Sequence, residues 1–443
     1  LNFLISLIEP KIKQRLICFF ATPKVRVKMT EKSILIVNYY FPPFHRVGGR
    51  RWAKFAKYLF RSGWDVHVVA GDFPGSVSPW DKDTELYRDR IHRVTRKPLP
   101  LPFFKQKLPT NPIEKIRWKL SQWFFEFYTK KNYVGDYTDP SYLDGPAFAV
   151  AVRNVLTANP QIKNVVVSVG PYYYAMDVLK LKRDFTEINF VLDFRDVWMD
   201  WPGLSKKQIK VLSEFKSELH QLPDYFTTVS DILTDFLKLN YTQKSITIPH
   251  AIDEDDFIEL PTLEPEPNKL LFVYGGDLYH GIEHRLTLLD ELLKLLNAKG
   301  YQAEAVFYSD PRKHPQNIWA HLRFEKSTLL DEFFQKVLIA DFALVVRGDV
   351  TVNQFTTKIF ELVKLKRPIL IIDKDQPELR FIKSKGLGLG LTHKIEIPEL
   401  AEAIIRQKEQ PYLPLDYDLK IHTIKHTTTI LEDYLLNHSK QNN

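Results

Sequence analysis

The residue types that could do chemistry gather in five short segments, four of them at or directly after the end of an apolar run. The most specific is 354–362, QFTTKIFEL, followed by KRPILII at 366–372. Thr356 or Thr357 can cap a helix whose first N–H groups, together with Lys358, face a phosphate. Glu361 lies one turn after Lys358 on the same helix face. A carboxylate there can take both hydroxyls of a ribose. The same letters could make an exposed Lys–Glu pair with a threonine cap. Their placement on one loop–helix–strand unit favours the ligand-binding reading.

The other four segments are looser. In 38–49, NYYFPPFHRVGG, Gly48 and Gly49 stand just before a helix start, where the backbone can approach a phosphate closely. Arg50 and Arg51 add positive charge, and His45 in the same loop is a candidate cleft residue. An ordinary strand-to-helix turn would also use such glycines, and the G-x-G-x-x-G spacing of a dinucleotide site is absent. In 274–280, YGGDLYH, Gly275 and Gly276 repeat the pattern, with Asp277 as a turn, cap or site residue. In 168–172, SVGPY, Ser168 could meet a sugar or phosphate, or the segment is a Gly170-Pro171 turn. In 193–201, DFRDVWMDW, Asp193, Arg195 and Asp196 stand together with two tryptophans. Arg195 there either clamps a phosphate or forms a buried pair with an aspartate. The residues leave both readings open.

These segments need elements to hold them. SILIVN at 33–38 reads as a buried parallel strand, 50–61 as a helix with Trp52, Phe55, Ala56 and Leu59 on one face, and WDVHVVA at 64–70 as the next strand. That is a βαβ unit. Residues 73–142 read as a proline- and aromatic-rich insertion. Its stripe of Ile116, Leu120, Trp123, Phe124 and Phe127 suits a lid, an acceptor helix, or a membrane-surface helix with Arg117, Lys119, Lys130 and Lys131 towards lipid phosphates. We read it instead as packing on its own domain. Alternating helices and strands resume from 146. Residues 254–269, acidic and proline-rich, read as a linker, and a second α/β series runs over 270–410. A tail with a last helix occupies 411–443. The expected architecture is two doubly wound, parallel-sheet, Rossmann-like domains, 29–253 and 270–410, whose strand carboxyl ends face one cleft.

Composition narrows the classes. The 443 residues, 44% hydrophobic and 26% charged, suit two globular domains. The net charge of +8 is concentrated in residues 1–28, where six Lys and Arg oppose only Glu9. The remainder is mildly basic, so nucleic acid is not an expected partner. Cys18 is the sole cysteine, which rules out an internal disulfide or a multi-cysteine zinc site and fits a cytoplasmic protein. Segment 1–28 could be a basic amphipathic anchor. We read it as an over-extended gene start, with Met29 as the first native residue.

Taken in order, these segments resemble the GT-B glycosyltransferases of the group 1 type, family 4. NYYFPPFHRVGGRRWAKFAKYL, VLDFRDVWMDWP and TKIFELVKLKRPIL carry the resemblance, which spans roughly 33–380. It implies a donor nucleotide held by the second domain and a glycan or lipid-linked acceptor held by the first. Glu361 would take the ribose, and Thr357 and Lys358 the diphosphate. Gly48 and Gly49 would lie near the donor phosphates, and the residues' own pattern puts Gly275 and Gly276 close to a phosphate as well. The resemblance further implies a retaining outcome and no tightly bound metal or cofactor, with UDP or GDP as the expected donor nucleotide. Members often carry an acid eight residues before the ribose glutamate, where this chain has Asn353, and basic residues after the second domain's first strand. Arg347 could supply the missing charge. Two alternatives follow: a GT-B nucleotide-sugar epimerase, and a degenerate GT-B protein that serves as a non-catalytic binding subunit.

Overall fold

The computed structural model describes residues 32–44, 47–95, 111–117, 119–120, 123, 141–195, 206–257, 266–278, 281–310, 318–348, 358–409 and 417–439. The N-terminal segment, His45, Asp196, Asn353 and Thr357 lie outside them.

The first unit runs β1 (Ser33–Asn38), α1 (Arg50–Arg61), β2 (Asp65–Gly71), β3 (Ile91–Val94), α2 (Ser141–Ala158), β4 (Asn164–Val169), α3 (Tyr173–Leu179), β5 (Asn189–Phe194), α4 (Lys206–Leu219), β6 (Tyr225–Thr228), α5 (Asp231–Asn240) and β7 (Lys244–Thr247). Its sheet has the order β3-β2-β1-β4-β5-β6-β7, with every pair parallel. The second unit runs β8 (Lys269–Gly275), α6 (Glu283–Ala298), β9 (Gln302–Ser309), β10 (Leu322–Lys326), α7 (Leu330–Ile339), β11 (Phe342–Val346), α8 (Lys358–Lys364), β12 (Ile369–Ile372), α9 (Pro377–Ser384), β13 (Gly388–Leu391) and α10 (Ile397–Glu409). Its sheet order is β10-β9-β8-β11-β12-β13, again all parallel.

The strand sequences explain this layering. β1, β4 and β5 are built round the apolar runs ILIV, VVV and FVL, and all their residues are buried, as a sheet covered on both faces requires. One face carries Phe148, Val152, Tyr174 and Val178 from α2 and α3. The other carries Trp52, Phe55 and Leu59 of α1. Leu431 and Leu435 of the last helix, α11 (Ile424–Ser439), pack into this same first-unit core. The chain therefore passes from the first unit to the second and back. The two passages lie side by side: Ile252 pairs in parallel with Thr423, through Ile252 N to His422 O at 2.9 Å and Ile424 N to Ile252 O at 2.7 Å.

Two expectations need correction. The stretch 73–142 is not insertion from its start, because Ile91–Val94 is the edge strand of the first sheet. With the sequence IHRV it is short and half polar, so its alternation is too weak to read. The apolar stripe also differs from the reading. Its described residues Ile116, Leu120 and Trp123 are 61%, 61% and 64% exposed, so they do not pack into the domain core. Phe124 and Phe127 lie outside the described residues. β10 (LRFEK) and β13 (GLGL) also escaped the reading, the first as a polar edge strand and the second because glycine masks its pattern.

Candidate functional site

Strand order reverses at one point in each sheet, between β1 and β4 in the first and between β8 and β11 in the second. Such a point opens a crevice at the strand carboxyl ends. The candidate residues fall at both crevices because their segments follow these strands, with Arg195 after the neighbouring β5 and Lys358 and Glu361 on the helix after β11.

In the second unit, β8 ends at Gly275, and Gly276 has a φ of 139°, a backbone shape that favours glycine. A Cβ on Gly276 would lie 1.9 Å from Lys358 Nζ, and one on Gly275 would lie 2.3 Å from the Phe333 ring. A side chain at Gly275 would have to displace the Phe333 ring, and one at Gly276 the end of Lys358. Lys358 opens α8, and its ammonium sits 5.4 Å from the centre of the Tyr274 ring. Burial lowers its pKa, and Glu361 and Asp277 oppose that shift. Arg347 follows β11 and pairs with Glu378 at 3.0 Å. Arg285 pairs with Asp373 at 3.5 Å. Lys358, Glu361, Arg347, Gly275 and Gly276 are thus one group.

In the first unit, Arg195 joins two loops. Its Nη1 donates to Gly48 O at 3.0 Å, and its Nη2 donates to Gly170 O. Those carbonyls belong to the loops after β1 and β4. Ser168 is buried at 1% exposure, and its Oγ has no hydrogen-bond partner among the described residues. Asp193 pairs in register with Ser168 and Thr227. Its carboxylate is fully buried and accepts from Trp52 Nε1 at 2.8 Å, Thr227 Oγ1 at 2.8 Å and Arg51 Nη2 at 3.4 Å. Asp193 is therefore an anchor for α1 rather than a cleft group, and its arginine is Arg51 rather than Arg195. Arg51 also donates to Ile248 O at 2.8 Å and Pro249 O at 3.3 Å. His250 follows directly. Burial, and then the charges of Arg51, Arg195 and Arg50, push its pKa down to about 3, so its imidazole is neutral at pH 7.

Arg50, the first residue of α1, connects the two sides. Its Nη1 reaches Glu361 Oε1 at 2.5 Å, and its Nη2 reaches Asp256 Oδ2 at 3.3 Å. Burial disfavours this guanidinium charge, but Glu361 and Asp256 outweigh it and raise the pKa. Asp256 belongs to a larger network where the chain leaves the first unit. Lys54 Nζ touches Asp83, Asp253 and Asp256 at 2.8, 2.7 and 2.8 Å. Lys57 Nζ touches Asp83 at 2.8 Å and Asp255 at 3.0 Å, and also Asp253. Asp83, Asp253 and Asp256 are close enough to ligate a cation, but the two lysine ammonium groups already fill their cradle.

The sequence reading named the members of both groups and assigned Arg50 and Arg51 only a general charge. His250 and Asp253 are not among the sequence candidates, and Glu254, Asp255 and Asp256 fall in the expected linker. The signal was available as four acids in DEDD at 253–256, opposite Arg50, Lys54, Lys57 and Arg61 at helical spacing.

No protein-family model matches this chain, and no curated protein is similar to it in sequence. Solved structures do match over nearly the whole chain. A glycosyltransferase from Rickettsia africae is 14% identical, with 92% of this chain and 97% of that one covered and a TM-score of 0.54. Sucrose-phosphate synthase from Thermosynechococcus elongatus is 14% identical over 93% and 98%, with a TM-score of 0.53. An alpha,alpha-trehalose-phosphate synthase (UDP-forming) from Burkholderia vietnamiensis is 10% identical over 93% and 100%, with a TM-score of 0.56. At such identity the likeness is one of fold. Together with the two parallel sheets, it defines the GT-B fold. Among the described residues, no helix is long and apolar enough to cross a membrane.

Proposed function

We propose that this protein is a glycosyltransferase of the family 4 type that moves a sugar from a nucleotide-sugar donor to a glycan or lipid-linked acceptor. The observation that carries this reading is the grouping of Lys358 and Glu361 with Gly275 and Gly276 at the second sheet's switch point. Glu361 takes the ribose hydroxyls. Lys358 meets the diphosphate, whose charge offsets the cost of burying the ammonium. When the glycosidic bond to phosphate breaks, negative charge grows on the leaving oxygen, and Lys358 is placed to stabilise it. The start of α1 after Gly48-Gly49 contributes N–H groups from the other side. The reaction in this reading is retaining and uses no bound metal, and the nucleotide is UDP or GDP. Work at the inner membrane surface would fit a lipid-linked acceptor.

A second reading is a non-catalytic GT-B binding subunit, favoured by the arginine already seated on Glu361. A thermal-shift panel of UDP, GDP, ADP, dTDP and CMP without added metal separates the two, because a ligand of the folded state raises Tm by mass action. A shift with one nucleotide, lost in Glu361→Ala and Lys358→Ala, supports the transferase. No shift with any nucleotide sinks it.

A further inference from the structure

Glu361 cannot hold a ribose while Arg50 occupies it. The Arg50 and Glu361 side chains are 9% and 7% exposed, so little water is available to replace either partner. Removing one member of a buried ion pair strands the other charge at high cost. Ribose binding alone would impose part of that cost on Arg50, taking the shorter of its two carboxylate contacts and leaving only Asp256 at 3.3 Å. A nucleotide diphosphate would not, because it brings an anion into the same cleft together with the ribose. Arg50 stays close by, since its Nη2 remains tied to Asp256 and its backbone opens α1 beside Gly49.

We infer that Arg50 is a diphosphate-binding residue supplied by the first domain and parked on Glu361 until the donor arrives. The donor exchanges partners: ribose takes the carboxylate, and diphosphate takes the guanidinium. The nucleotide-free protein thereby rejects nucleosides, which can break the pair but cannot replace it. This inference rests on Glu361 as the ribose group.

The exchange predicts effects of opposite sign in one variant. In full-length Arg50→Gln, uridine and guanosine should bind about tenfold tighter than to wild type, because Glu361 is vacant. UDP and GDP should bind about tenfold weaker, because one charged contact is lost. The diphosphate advantage over nucleoside should therefore fall about a hundredfold, as read by calorimetric titration. Arg50→Lys, which keeps the charge, controls for folding and should retain most of the advantage. If Arg50→Gln weakens nucleoside and diphosphate by the same factor, or leaves their ratio unchanged, the exchange is wrong. If the ratio falls but adding Glu361→Gln to Arg50→Gln leaves nucleoside binding as tight as in Arg50→Gln alone, the ribose assignment fails and Arg50 is only a phosphate ligand. If no nucleotide binds wild type, both fall together.

Discussion

Arg50 and Glu361 lie 311 residues apart and meet at 2.5 Å, joining the first helix of one sheet unit to the candidate nucleotide helix of the other. Arg50 also shares Asp256 with Lys54, so the cleft contact and the ion network at the chain crossing form one connected system. Groups in one network do not contribute independently. A double-mutant cycle of Arg50→Ala and Glu361→Ala, followed by urea unfolding, should therefore show a coupling of about 1–3 kcal/mol. Additive effects would mean the contact does not bridge the units in solution.

Lys54 is the network's centre. Its side chain is 1% exposed and neutralises three carboxylates that are themselves 0–3% exposed. Lys54→Met leaves Asp83 and Asp253 to Lys57 and Asp256 to Arg50 at 3.3 Å, and should cost about 3–5 kcal/mol. The exposed pair of Lys364 and Glu254 at 3.5 Å offers a contrast, and Lys364→Ala should cost less than about 1 kcal/mol. Chemical denaturation of both variants checks the ranking. Equal losses would make the network a surface feature.

The same groups set the pH limits. Burial works against the Asp253 carboxylate, but Lys54 and Lys57 overcome it and hold its pKa well below the usual range. Its contribution is therefore full above about pH 4 and is lost as pH falls. Lys57 is raised to about 12 by Asp253 and Asp83 against the pull of burial, so its contribution is full below about pH 10 and is lost as pH rises through about 12. His250 acts across the middle. The unfolded chain takes up its proton near pH 6.5, while the folded imidazole resists until about 3. Stability should therefore fall steadily from about pH 6.5 towards 3, and His250→Gln should flatten that slope. Urea midpoints from pH 4 to 8 test it. An unchanged slope would show that burial and the three arginines do not hold the ring neutral.

Gly276 separates site geometry from stability. Its φ of 139°, and a Lys358 Nζ that would lie 1.9 Å from an alanine Cβ there, mean that Gly276→Ala must move the ammonium as well as strain the backbone. Nucleotide affinity should fall about tenfold. Gly300, with φ 94° and open space around its Cβ position, carries only the backbone cost. Gly300→Ala should lower stability by about 1 kcal/mol and leave nucleotide binding unchanged. If both alanines affect binding alike, Lys358 is not held by the approach at Gly276.

What could be read from the sequence follows a physical division. β1, β4, β5, β8 and β11 announce themselves because strands buried on both faces must be apolar throughout. The candidate residues directly after them follow from the rule that ligands meet parallel sheets at the strand carboxyl ends. Edge strands such as β3 and β10 escape because one side meets water. Partner choice among charges escapes as well. Nothing local in DFRD or GGRRW says that Asp193 pairs with Arg51, or that Arg50 crosses to Glu361, since those pairings exist only once both sheets are placed.

Arg195 offers the sharpest test of the first-domain crevice. Its two terminal nitrogens donate to the carbonyls of Gly48 and Gly170, so one planar fork fixes the loops after two adjacent strands. A Cβ on Gly48 or Gly170 would approach those nitrogens at 3.1 and 3.0 Å, which shows how closely the loops fold round the guanidinium. A lysine keeps the charge but is a compact point donor without the fork. If Arg195 acts by fixing the loops, Arg195→Lys should cut kcat/KM for the proposed sugar transfer by about tenfold to a hundredfold, because small displacements of positioning groups are that costly. Arg195→Met should fall only slightly further. If Arg195 acts instead through charge alone, lysine should restore nearly full activity, and the loop-bracing role is then wrong.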